Sequence, residues 1–343
     1  MADGAGIRPP SSATAPDERT DFPADFPEGL KPRLRLFLSV DLVGATRYKQ
    51  SRNVWRPEIL SFYRDFDFIL QSEYRAFADT RTDAPSPPEF WKSNGDELLY
   101  VCEMDGPDQA HGLMYLWLAA LERYRATSVE EAQHLDVKST AWLGLFPAPN
   151  SEIFFRRGNF GPEDQSARDP VIVQSEIRDE WYACPYSTTI TREYVGPSMD
   201  TGFRLTAWAR PSRMIVSVDL AFLLMETQAP GMRPVRLHLS GCGRLKGVVD
   251  DQPYPILWLP VGGRADADDF AGVPTITDRP IIRAFCQSII EQNYCSITPL
   301  FLNGGRRGGY DWAPPYILKR ILRLWEDEVR HHEEVTHVVL LSD

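Results

Sequence analysis

An α/β fold with a mostly antiparallel sheet is predicted by three observations. Short alternating apolar runs are interleaved with longer segments whose apolar residues recur every three or four positions. Two of the runs, LRLFLSVDLVGAT and EFWKSNGDELLYVCE, each deliver an aspartate beside glycine-bearing backbone, Asp41 and Asp96. Their order with the helical segments (strand, helix, two hairpin-linked strands, helix, strand) is the ferredoxin-like split βαβ arrangement.

The first strand is expected at Leu34 to Leu42. Arg56 to Phe77 follows as an amphipathic helix, with Ile59, Phe62, Tyr63, Phe66, Ile69 and Leu70 on one face. Asp79 to Pro88 is polar and proline-rich, hence a loop. Asn94-Gly95-Asp96 reads as the tight tip of a hairpin. Pro107 to Arg125 carries a second apolar stripe (Leu113, Leu116, Trp117, Ala120, Leu121), and Val137 to Phe146 a further strand. Asp41 and Asp96 would then lie on adjacent central strands.

Beyond this unit, Pro147 to Pro170 reads as a loop, Val171 to Trp181 as helix, Ser187 to Tyr194 as extended and Gly202 to Ala209 as helix. Strands are expected at Met214 to Val218, Val235 to Leu239 and Pro255 to Pro260, and helices at Pro280 to Gln292 and Pro315 to His331. The expected division is a disordered tail over 1–30, a catalytic domain over 31–212, and a C-terminal extension over 213–343 packed on the core or on a dimer partner. The proline-, alanine- and aspartate-rich start lacks a signal-peptide pattern.

A chain of 343 residues with 43% hydrophobic and 25% charged residues can bury a sizeable core. The net charge of −11 argues against non-specific nucleic-acid binding, which needs a basic footprint. No apolar run reaches the length of a membrane span. The five cysteines form no CxxC pair, which suits reduced thiols in a cytoplasmic protein rather than disulfides or structural zinc.

Two carboxylates set side by side on neighbouring strands suit two hard divalent cations, a common arrangement for phosphoryl chemistry. The segments FLSVDLVGAT and FWKSNGDELLYV resemble the two metal-binding segments of class III nucleotidyl cyclases, in which a Val-Gly-x-Thr turn follows the first aspartate and the second sits in a Lys-x-x-Gly-Asp hairpin. The resemblance covers residues 34 to 212 and is nearest to the bacterial pyrimidine cyclases of Pycsar anti-phage systems. It implies a ferredoxin-like cyclase core, and conversion of UTP to 3′,5′-cyclic UMP and pyrophosphate in anti-phage defence. It also implies a homodimer with shared active sites, and a separate effector activated by the cyclic nucleotide. Cyclic CMP from CTP, a purine cyclase, and a non-catalytic nucleotide-binding regulatory domain are the alternatives.

Residue by residue, the resemblance implies that Asp41 and Asp96, with the Leu42 carbonyl, hold two Mg²⁺ or Mn²⁺ ions. Backbone amides of Val43, Gly44, Ala45 and Thr46 would cradle the β- and γ-phosphates. Lys92 stands where the family places a base-reading side chain, and Phe37, four residues before Asp41, could wall the base. The third family motif, an asparagine followed four residues later by an arginine, aligns over FRLTAW, with Arg204 at the asparagine and Trp208 at the arginine. That departure leaves the positive charge to Arg204 or Arg210, with Asp200 upstream as an acceptor for a base amino group.

Other features read as structural. The loop Asn303 to Gly309 (NGGRRGG) lacks the Lys-Ser/Thr and helix of a P-loop. His331 and His332 read as complements to a helix dipole, and Cys242 has no His–Asp arrangement to make it a nucleophile.

Overall fold

The computed structural model describes residues 22–23, 25–82, 84–129, 135–157, 168–185, 187–227, 235–262, 275–293, 297 and 315–342. Most of the expected tail, Cys295 and the Asn303 to Gly309 loop lie outside the described residues. In chain order the elements are β1 (Arg33–Val43), α1 (Ala45–Ser51), α2 (Arg56–Ala78), β2 (Glu89–Asn94), β3 (Glu97–Met104), α3 (Gln109–Tyr124), β4 (Asp136–Phe146) and β5 (Ser151–Arg156). They continue with α4 (Pro170–Ala183), β6 (Ile190–Val195), α5 (Pro197–Leu205), β7 (Arg213–Val216), α6 (Val218–Glu226), β8 (His238–Arg244), β9 (Pro253–Pro260), α7 (Arg279–Gln292) and α8 (Pro315–Ser342).

One sheet of seven strands runs β2-β3-β1-β4-β7-β9-β8. Its first four strands, all antiparallel, have the ferredoxin-like order, with β1 and β3 at the centre as the sequence pattern requires. β7 joins β4 in parallel, and β9 and β8 complete the sheet antiparallel to their neighbours. Residues after 212 therefore continue the same sheet.

Period-two alternation divides β1 between two faces. Leu34, Leu36, Leu38, Val40 and Leu42 join Phe62, Phe66, Leu113 and Trp117 of α2 and α3 in the main core. Arg35, Phe37, Ser39 and Asp41 face the other way. There α5 and the separate β5–β6 hairpin cover Phe37, Leu99, Val101, Trp142 and Phe146, together with Tyr194 and Met199. Arg35, with no exposed surface, is held at the far end of this face by Glu103 at 3.1 Å and Glu152 at 3.0 Å.

The segment expected as loop from Pro147 to Pro170 contains β5, whose pairing partner β6 lies some forty residues downstream and is invisible to local pattern. The helix expected at Gly202 begins earlier, at Pro197, because Asn150 anchors its first turn: its Oδ1 accepts from Ser198 N at 3.0 Å and its Nδ2 donates to Ser198 Oγ at 3.1 Å. α6 was not anticipated; its nine residues are too apolar all round to show a stripe. α8 runs past His331 and His332, so neither sits at a helix end. His331 Nδ1 instead meets Asp169 Oδ2 at 2.8 Å, at the cap of α4, and His332 lies 3.2 Å from Ser175 Oγ. Its Ile317 and Ile321 are buried in the main core, and Trp325 packs on Phe26. Among the described residues no helix is long and apolar enough to cross a membrane, and Cys102, Cys184, Cys242 and Cys286 are free thiols.

Candidate active site

Strand register brings the two aspartates together. Asp41, near the end of β1, is paired with Glu97 on β3 and with Lys138 on β4. Asp96 occupies the β2–β3 turn immediately before Glu97, and its carbonyl accepts from Leu42 N at 3.2 Å. Both turns need a left-handed residue: Gly95 has φ of 66° and Gly44, at the start of α1, φ of 86°. α2 reaches the same turn through Tyr63, whose hydroxyl donates to the Gly95 carbonyl.

Asp41, Leu42, Val43, Gly44, Ala45, Thr46 and Asp96 line one cleft of about 530 Å³, and Arg47, Lys138, Ala209, Arg210 and Pro211 complete its wall. The structure brings the first seven, all named from the sequence, into this one cleft. Arg47 and Lys138 were missed. Lys138 has no local signal and is identified only by cross-strand register. Arg210 Nη1 donates to the Ala209 carbonyl at 2.8 Å and the Ala207 carbonyl at 3.2 Å, which fixes the guanidinium at the cleft rim.

Each aspartate has a lysine on it. Lys138 Nζ is 3.1 Å from Asp41 Oδ2, and Lys49 Nζ is 3.2 Å from Asp96 Oδ1. Glu97 is the third carboxylate, nearly buried, and accepts from Ser39 Oγ at 2.5 Å. Burial pushes its carboxyl up; the Ser39 hydrogen bond opposes that and the Asp41 charge adds to it. Two part-exposed carboxylates and backbone carbonyl oxygen form a hard donor set, which fits Mg²⁺ or Mn²⁺ and leaves positions for substrate oxygens. Among the described residues no group of three or more His, Cys, Asp or Glu side chains gathers as a self-sufficient metal cage.

One expectation is corrected, and two further residues lie away from the aspartate cleft of their own chain. Phe37 shares a sheet face with Asp41 but has no exposed surface. Its ring stacks on Trp142 at 5.5 Å and meets Tyr194 edge-on at 5.1 Å, so it cannot wall a base directly. Lys92 does not line the aspartate cleft. Its Nζ lies 2.9 Å from Glu193 and sits 4.1 Å above the Trp91 ring, between β2 and β6. Arg204 also points away from that cleft, donating through Nε to the Lys246 carbonyl.

Trp208 lies in a 3-10 turn beyond the end of α5, packed against Gly243. Asp200 and Arg204 stand four apart on that helix. Lys92 pairs with Glu193 between β2 and β6, Asp200 and Arg204 lie on α5, and none of the four lines the aspartate cleft of the same chain.

No protein-family model matches the chain. No curated protein matches it either. Among solved structures it is similar to the adenylyl cyclase CyaB from P. aeruginosa (TM-score 0.44, 12% identity, 69% of this chain and 98% of that chain). It is also similar to the guanylyl cyclase Cya2 (TM-score 0.41, 13% identity, 69% of this chain and 96% of that one). A third is the guanylate cyclase domain of RhGC from Catenaria anguillulae in complex with GTP (TM-score 0.43, 10% identity, 67% and 97%). The α/β architecture described above rests on this chain's own strand pairing.

Proposed function

We propose that the protein is a metal-dependent nucleotide cyclase that converts a pyrimidine nucleoside triphosphate, UTP before CTP, to the 3′,5′-cyclic monophosphate and pyrophosphate. The observation that carries this reading is the convergence of Asp41 and Asp96 in one cleft with the turn Val43 to Thr46. Asp41, Asp96 and the Leu42 carbonyl would hold two divalent cations, which supply charge neutralisation of the triphosphate and a lowered pKa for the ribose 3′-hydroxyl. The backbone of Val43, Gly44, Ala45 and Thr46 receives the β- and γ-phosphates, and Arg47 and Arg210 add positive charge toward the leaving pyrophosphate.

Lys92, Glu193, Asp200 and Arg204 read base and ribose. Lys92 donates and Glu193 accepts, side by side, and together they match the carbonyl and N–H of one base edge. Uracil presents two carbonyls around one N–H and so makes more use of the lysine than cytosine does. Beside the Lys92–Glu193 pair the sheet face is filled by Phe37 and Trp142, with Trp91 and Phe203 packed against them. Asp200 and Arg204 then serve the ribose and the phosphates. Because these four residues lie outside the lining of their own chain's aspartate cleft, each site combines the aspartates of one subunit with these residues of another, which makes the active species a homodimer. The resemblance to Pycsar enzymes supports a signalling role, with the cyclic nucleotide acting on a separate effector.

The test is incubation of purified protein with ATP, GTP, CTP and UTP, each with Mn²⁺, and chromatography of the products. Cyclic UMP or cyclic CMP supports the reading and fixes the base. A cyclic purine keeps the chemistry and overturns the base assignment. No product from folded, dimeric protein overturns the enzyme and favours a regulatory nucleotide-binding domain.

A further inference from the structure

The geometry points to Lys138 as a counter-ion built into the metal site, which holds Asp41 until divalent cations bind and then transfers to the triphosphate. The inference rests on the cyclase reading, but its chemistry can be measured without turnover. Lys138 is not a solvated edge lysine. It sits on β4, flanked by β1 and β7, in direct register with Asp41, and the two side chains are 24% and 27% exposed. Strand spacing places the ammonium within reach of that carboxylate.

Its Nζ bonds Asp41 Oδ2 at 3.1 Å and lies 3.4 Å from the Thr206 carbonyl, which belongs to the turn leading to Arg210. A cation that takes Oδ2 would displace the ammonium, so lysine and metal would compete for that oxygen. Displaced, the ammonium remains in a cleft lined by Val43 to Arg47, beside the proposed phosphate seat. Lys49 stands in the same relation to Asp96, although from α1 it is less constrained. The consequence is that metal and triphosphate bind as a linked set. Metal alone must displace a lysine, and triphosphate alone meets two carboxylates, whereas together each relieves the other's cost.

The experiment compares wild type, Lys138→Met and Lys138→Arg. Mn²⁺ uptake is followed by electron paramagnetic resonance of the free ion. Inorganic tripolyphosphate binding at saturating Mn²⁺ is followed by calorimetry. Lys138→Met, which keeps the apolar stem, is expected to take up Mn²⁺ roughly two- to fivefold more tightly. The same variant is expected to bind tripolyphosphate about tenfold more weakly. Lys138→Arg should stay near wild type in both. Unchanged or weaker Mn²⁺ uptake by Lys138→Met overturns the inference, and so does unchanged tripolyphosphate binding. Loss of both affinities in both variants, with a lowered Tm, assigns the lysine to structure and also overturns it. Both shifts without any cyclic product would overturn the cyclase reading and leave the lysine's role standing; product without the shifts would do the reverse.

Discussion

Asp41 stands between a lysine and a glutamate, and this neighbourhood decides what its loss would do. The ion pair it forms is part-exposed, so Asp41→Ala gives up little folding energy. The same holds for Asp96, paired with Lys49. Both variants are therefore expected to melt within a few degrees of wild type while cyclic-nucleotide formation falls on the order of 10²-fold or more. A variant that keeps its activity, checked by chromatography of the product, would remove that residue from the metal site. These two residues were legible in the sequence because strand alternation ends in glycine-bearing turns at both. Lys138 and Glu193 were not, since each becomes a neighbour only through register or through a hairpin about a hundred residues away from its partner.

At the scale of elements, α5 is seated through Gly202. A Cβ there would come within 2.1 Å of the Trp142 ring, so Gly202→Ala must lift the helix or turn the indole. The expected cost is about 1–3 kcal/mol in denaturant unfolding, with part recovered when Trp142→Leu is added. No recovery would mean that the two positions do not share this contact. The joint between α3 and α6 carries a pH dependence. His111 is buried, and its Nε2 lies 2.8 Å from the Thr227 carbonyl. Burial lowers its pKa below 6.5, opposed by the Thr227 hydrogen bond, with Arg279 and Asp108 as the nearby charges. The unfolded chain therefore binds the proton more readily, and stability is full above 6.5 and lost as pH falls from there through the lowered value. The Tm of wild type should drop across that window, and His111→Gln should flatten the drop; parallel curves would refute it. The period-two pattern identified the face of Phe37 correctly but not its depth, because the elements that cover it, α5 and the β5–β6 hairpin, lie far along the chain.

For the whole molecule, Lys92, Glu193, Asp200 and Arg204 stand outside the lining of their own chain's aspartate cleft, and the proposed homodimer would bring them to the partner's. It predicts complementation: Asp41→Ala mixed with Arg204→Ala, each inactive alone, should regain about a quarter of wild-type activity, because half the random dimers are mixed and each holds one intact site. No recovery on mixing, with subunit exchange verified, would place both groups in one chain's own site. The ferredoxin-like order was legible because its four strands and two helices are consecutive. The continuation through β7, β9 and β8 was not, because the parallel pairing of β7 to β4 leaves no local mark.

In the proposed homodimer, the need for two chains per site sets how output responds to supply. When chains are scarce relative to their dimer dissociation constant, the number of complete sites rises with the square of chain concentration, so halving the protein cuts synthesis fourfold. Such a cell would be silent at low expression and respond steeply above a threshold, with no inhibitor required. A chain carrying a damaged cleft would also draw intact partners into half-active pairs.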